Sequence, residues 1–138
     1  MKKERLTIAE SEYHLLKDYL DKVGAKDAVH MACYNKLKSE LAVADIISDE
    51  NMPTDVVRLN SVVDMETPAG FFAGYQVVMP KDANPHKKKL SILTPMGSAL
   101  IGYAKGDKVL WHFPGGEKMI TIKNVYQDIA SAEEANQG

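Results

Sequence analysis

One cysteine, Cys33, in 138 residues excludes an internal disulfide framework and fits a reducing cytoplasm. A small buried apolar side chain on a helix is the ordinary role for such a thiol. Long hydrophobic runs are missing too. Nothing approaches the ~20 apolar residues of a membrane span, and the charged start Met1-Lys2-Lys3-Glu4-Arg5 has no apolar segment behind it, so no signal peptide is expected. Nor is there a charge excess. Net charge is −2, with eight Lys/Arg against ten Asp/Glu in residues 1–52 and nine of each in the remainder. A dedicated nucleic-acid binder usually carries a basic stripe, so direct DNA binding is not the first expectation.

Chemistry-bearing motifs are equally scarce. The four histidines, His14, His30, His86 and His112, show no metal-ligand spacing and no nearby cysteine pair. No P-loop or dinucleotide fingerprint appears, and Gly97-Ser98-Ala99 falls short of a nucleophile elbow. The expectation is therefore no metal, no cofactor and no enzyme. His86-Lys87-Lys88-Lys89 is the sole basic run and reads as a solvated loop between two strands.

What is present divides by periodicity. Ile8, Tyr13, Leu16, Leu20 and Val23 recur at helical spacing, Gly24-Ala25 breaks the run, and Val29, Ala32, Cys33, Leu37, Leu41 and Ala44 form a second stripe with Asp27 as N-cap. Together they predict a short antiparallel helical hairpin within residues 1–50. The polar stretch Ser48–Asp55 reads as a linker. Beyond it the period becomes alternating: Val56–Leu59, Val62–Met65, Phe71–Met79, Lys89–Leu93, Val109–Phe113 and Lys118–Tyr126 read as strands, with Pro114-Gly115-Gly116 as a turn. That predicts an α+β chain whose second part, residues 54–128, is an antiparallel sheet with one short helix. Residues 129–138 are small and acidic and are expected to be a disordered tail.

Inside the strand-rich half lies Thr94-Pro95-Met96-Gly97-Ser98-Ala99-Leu100-Ile101-Gly102, followed by Gly106-Asp107. Pro95 fixes its own φ and holds Thr94 extended. A very short helix should start there, with Gly102 as its left-handed cap and Gly106-Asp107 as a turn. A rigid corner of this kind on a fixed scaffold is a common place for binding.

The run from Leu90 through Gly102, the Gly106-Asp107 turn and Phe113-Pro114-Gly115-Gly116 resemble the C-terminal domain of the bacterial Gre transcript-cleavage factors. They also resemble their shorter relative, the regulator of nucleoside diphosphate kinase. The resemblance covers roughly residues 54–127, with Thr94 where the family usually has serine. It implies an FKBP-like α+β domain, a cytoplasmic location and RNA polymerase as the partner. Nucleic acid would then be contacted only through the polymerase, by a monomer or weak homodimer. Carried over, Thr94, Pro95, Met96 and Gly97 would dock at the rim of the secondary channel.

In the cleavage factors, two acidic residues at the tip of a long arm hold a catalytic Mg²⁺. Here the tip candidates are Asp21 and Asp27, with Lys22 and Lys26 between them. Helices of about 16 and 21 residues span only ~24 and ~31 Å, which favours a non-catalytic elongation regulator over a cleavage factor. An oligomerisation module and a peptidyl-prolyl isomerase are the remaining alternatives.

Overall fold

A computed structural model of the chain describes residues 6–23, 28–113 and 116–127. It opens on a short strand, β1 (Thr7–Ala9), followed by helices α1 (Glu10–Val23) and α2 (Ala28–Ala42) and strand β2 (Asp45–Ile47). Leu16 and Leu20 of α1, and Cys33, Leu37 and Leu41 of α2, are buried at four-residue spacing, so each helix offers one apolar stripe to the other. The Tyr34 hydroxyl donates to the Leu20 carbonyl across the pair (2.7 Å). On the outer side, Lys17–Asp21 and Asp18–Lys22 are exposed pairs one turn apart and contribute little to stability.

The hairpin departs from expectation at both ends. Ile8 belongs to β1, not to the first helix, and Asp45 to β2. The two strands run parallel, with Thr7 beside Asp45, Ile8 beside Ile46 and Ala9 beside Ile47. β-branched residues at both feet of the hairpin prefer this extended pairing to another helical turn. Ala32, assigned to the apolar stripe, is exposed. The Gly24-Ala25 break and the Asp27 cap lie outside the described residues.

The second part contains β3 (Val62–Thr67), β4 (Gly70–Val78), β5 (Lys89–Ser91), helix α3 (Pro95–Leu100), β6 (Lys108–Phe113) and β7 (Gly116–Tyr126). The sheet order is β5-β4-β3-β7-β6. Its pairs are antiparallel except for β4 with β5. That exception follows from the connection: two 3-10 turns, Pro80–Asp82 and Pro85–Lys87, carry the chain back so that β5 re-enters in the direction of β4. Val56–Leu59 forms no strand; Val56 makes an isolated bridge with Ala104, and Asn60 turns the chain at φ 73°. In mid-sheet the register shifts on both sides of Asp64. Its buried carboxylate accepts from the Gly74 N–H (2.9 Å) and the Asn124 amide (3.1 Å), which stabilises the two bulges.

One apolar cluster joins the hairpin to the sheet. Leu6, Ile8, Leu16, Leu20, Leu37 and Leu41 pack with residues such as Val63, Met65, Ile92, Leu100, Ile120 and Ile122. The hairpin base is further tied through the expected linker, which is itself structured by a 3-10 turn at Asp49–Asn51. Asp49 accepts from the Ser11 N–H (3.0 Å) and from the Ser11 hydroxyl, and those bonds hold its carboxyl below the usual range. Arg58 Nε reaches Glu12 at 3.1 Å and its outer nitrogen reaches Asp49 at 3.6 Å. Burial pushes the Glu12 carboxyl up, and the Arg58 guanidinium draws it partway back. Among the described residues, no helix is long and apolar enough to cross a membrane.

Candidate functional site

The corner at residues 94–97 begins where β5 ends. Ser91 folds the chain on itself: its carbonyl accepts from the Thr94 N–H (3.0 Å) and the Thr94 hydroxyl (2.7 Å), while its own hydroxyl accepts from the Leu93 N–H (3.0 Å). Thr94 is extended (φ −97°, ψ 157°), as a residue before proline must be, and caps α3 by accepting from the Gly97 N–H (3.1 Å). Pro95 occupies the first helical position, where its missing N–H costs nothing. A single side chain, Thr94, therefore serves both as helix cap and as brace to β5.

Close approach dictates the next residue. A Cβ on Gly97 would lie 2.0 Å from the Ser91 carbonyl oxygen, so the first turn of α3 sits directly on the end of β5. Thr94, Pro95 and Met96 are half-buried and reach the surface, whereas Gly97 is buried. Gly97 shapes the corner and offers no surface of its own. The Met96 side chain lines a shallow cleft of about 180 Å³ with Thr67, Ala69, Phe72 and Lys118. The cleft is apolar with one cation at its edge.

Behind the corner is a network that sequence reasoning missed. Lys36 of α2 donates to the Ser98 carbonyl (2.9 Å) and pairs with Glu40. Glu40 in turn accepts from the Tyr103 hydroxyl (3.1 Å). The hairpin thereby grips the second half of α3 and the turn that follows it. Lys36 and Glu40 one helical turn apart were the available signal, but an i,i+4 pair is ordinarily a solvated one. Burial, and then the Glu40 charge, push the Tyr103 phenol well above its ordinary 10.0. A raised folded value means that this stabilisation is complete below pH 10 and is lost as pH rises above it, because the unfolded tyrosine ionises first. Urea titrations between pH 8 and 11 should show wild type losing up to about 1.4 kcal/mol per pH unit more than Tyr103→Phe. Parallel pH profiles for the two proteins would refute this assignment.

Of the two tip candidates, only Asp21 falls among the described residues. The Asp21 carboxylate is exposed and lies between Lys17 (3.8 Å) and Lys38 (3.9 Å), an environment that opposes cation capture. Asp27 lies outside the described residues. Among those residues, no group of three or more His, Cys, Asp or Glu is arranged to hold a metal. α1 has 14 residues and α2 has 15, about 21 and 23 Å of helix, shorter than the periodicity implied. Cys33 is buried in the core as expected.

Residues 52–127, which include the whole corner, match the family model described as transcription elongation factor, GreA/GreB, C-terminal. The chain belongs to the GreA/GreB family. It is 33% identical to the transcription elongation factor GreA of Syntrophus aciditrophicus over 92 residues, 66% of this chain and 57% of that protein. It is 37% identical to the regulator of nucleoside diphosphate kinase of Escherichia coli (strain K12) over 81 residues, 58% of this chain and 60% of that protein. The chain thus spans less than two thirds of the length of either relative. A solved structure, the prokaryotic transcription elongation factor GreA/GreB from Nitrosomonas europaea, superposes with a TM-score of 0.71 at 31% identity. That superposition covers 90% of this GreA/GreB-family chain and 99% of the solved one.

Proposed function

We propose that this chain is a non-catalytic regulator of transcription elongation. It acts in the cytoplasm by binding RNA polymerase near the secondary channel, where it competes with or modulates other channel-binding factors. The segment from about 54 to 128 would dock, through Thr94, Pro95 and Met96 on the turn that Gly97 shapes, and the hairpin would be a stub alongside. The observation that carries this reading is the corner itself: a half-buried Thr94-Pro95-Met96 edge that reaches the surface, braced by Ser91 and capped by Thr94. Such preorganisation lowers the ordering cost of binding, and Met96 supplies an adaptable apolar contact. The rival reading, a cleavage factor delivering Mg²⁺, would need the Asp21 carboxylate free of its two lysine neighbours.

Capture of core RNA polymerase by tagged wild type, Pro95→Asn and Met96→Asp tests the reading. Met96→Asp should weaken binding about 30-fold, the loss of a ~2 kcal/mol interface anchor. Pro95→Asn should weaken it about fivefold through lost preorganisation, ~1 kcal/mol. Both variants should melt within a few degrees of wild type. Undiminished capture by folded Met96→Asp removes the corner from the proposal, and short 3′ RNA fragments released from stalled complexes would favour the cleavage factor instead.

A further inference from the structure

The connection from β4 to β5 concentrates positive charge in a chain whose net charge is −2. Between Met79 and Lys89 it carries Lys81, His86, Lys87, Lys88 and Lys89 against one acid, Asp82. Among the described residues, none of these five side chains forms an ion pair with a carboxylate. Elsewhere the lysines of the hairpin are mostly paired, as Lys17, Lys22, Lys36 and Lys38 all are. The connection thus keeps a local basic excess that no close ion pair neutralises, although Asp82 lies within it and Asp18 lines a pocket with Lys81.

The connection is also stiff. Pro80 and Pro85 start its two 3-10 turns. Asn84 and Lys89 exchange backbone hydrogen bonds (3.1 and 3.0 Å), closing a six-residue loop, and the Asn84 side chain accepts from the His86 N–H (3.1 Å). Lys88 adopts a left-handed conformation (φ 57°, ψ 38°) that is uncommon for a residue with a side chain. Its ammonium is turned back onto the sheet surface, donating to the Ala73 carbonyl (3.1 Å) and resting over the Tyr75 ring (5.5 Å). With Lys88 holding the loop down, His86 and Lys87 stand exposed at its apex. The turn that bears Lys81 packs against β5, which bears Lys89.

The chemistry of the surface selects the class of partner. A protein interface is centred on desolvated apolar or aromatic anchors; exposed Leu15 adjoins the connection only at its start, where it lines a pocket with Tyr19, Met79 and Lys81, and none of the exposed large hydrophobics lies in the stretch 80–89 that carries the charge. A nucleic-acid backbone needs only charge at the spacing of phosphates. We propose that the β4–β5 connection is a phosphate-backbone contact for nucleic acid, made by Lys81, His86, Lys87 and Lys89 and independent of the corner at Thr94–Gly97. It goes beyond the purely indirect contact that the family resemblance implies, and a balanced net charge does not oppose it, because phosphates respond to local potential and not to net charge.

Fluorescence anisotropy of the full chain with a labelled 12-nucleotide RNA, and separately with a 20-base-pair DNA duplex, tests this without polymerase. Wild type should bind at least one probe, losing roughly 30-fold in affinity between 50 and 200 mM salt, as expected for about three phosphate contacts. The double variant Lys81→Gln/Lys87→Gln should bind about tenfold more weakly at 50 mM salt, with a shallower salt slope and an unchanged melting curve. The pair Lys105→Gln/Lys123→Gln, exposed elsewhere, should leave binding unchanged. Tighter binding to RNA or to the duplex assigns the source of the phosphates. The proposal is overturned if wild type binds neither probe at 20 mM salt, if either pair of substitutions has the same effect, or if polyglutamate at equal charge displaces the probe as well as unlabelled RNA does.

Discussion

Gly97→Ala is expected to be the most damaging single-methyl change in the molecule, destabilising it by about 3 kcal/mol or more. The added Cβ would sit 2.0 Å from the Ser91 carbonyl oxygen and 2.8 Å from its carbon. Both are backbone atoms, so no rotamer change relieves the overlap. That same carbonyl is held in place by the Thr94 N–H and hydroxyl. To make room, α3 must lift from the end of β5, breaking the Thr94 cap and disturbing Ala99 and Leu100, both fully buried. Against a typical total stability of about 5–15 kcal/mol, the loss is a large fraction. Thermal unfolding should fall by roughly 10 °C, at a few degrees per kcal/mol for a chain of this size. A midpoint within 2 °C of wild type would show that the corner yields easily and that its rigidity plays no part in binding. Because Gly97→Ala acts through folding, loss of polymerase capture by that variant says nothing about contact; Pro95 and Met96 are the positions that report on it.

Gly102→Ala comes next, at about 2–4 kcal/mol, and its damage should be directional. Gly102 lies in the turn after α3, which the Tyr103 N–H closes onto the Leu100 carbonyl, at φ 84°, a conformation that costs a residue with a Cβ about 1 kcal/mol or more. The new Cβ would also lie 2.7 Å from the Cβ of Leu6, an atom that only backbone movement can displace. Leu6 leads into β1, where the Thr7 N–H donates to the Gly102 carbonyl (3.1 Å) and the Asp45 N–H donates to the Leu6 carbonyl (2.8 Å). The overlap therefore pries the foot of the hairpin from the sheet. Hydrogen exchange should accelerate at Thr7 and Asp45 well before it does at Val63 or Ile122 in mid-sheet. Uniform acceleration across the chain would mean that hairpin and sheet open as one unit, and the directional account would fail.

Much of the fold was legible because local chemistry and tertiary structure agree there. The change of period after the linker separated helices from strands. β3, β4, β6 and β7 fall on the segments whose alternation marked them, and Pro95 starts the short helix at the expected place, whereas its C-cap is Ile101 and the left-handed Gly102 lies in the turn just beyond. The corner was legible for the same reason: proline, capping threonine and left-handed glycine act within a few residues of one another. The feet of the hairpin were not. Ile8 and Asp45 continue a helical pattern well enough, and only pairing between segments 38 residues apart makes them strands. The parallel entry of β5 was equally hidden, since strand direction depends on how the connection folds and not on the strand's own residues.

The amino-acid sequence by itself determined the α+β class, the buried cysteine, the proline-led corner and the membership that its spaced motifs carry. All of these are set by short-range sterics and hydrophobic period. Tertiary structure alone decided which surface each residue serves. It buried Gly97 and left Met96 at a cleft, bound Lys36 to α3 and Glu40 to Tyr103 just beyond it, placed Asp21 between two lysines, and left the lysines of the β4–β5 connection without ion pairs. The reason is physical: a charge or a methyl group has no fixed worth along the chain, and only its neighbours in space set its dielectric surroundings, its partners and its room.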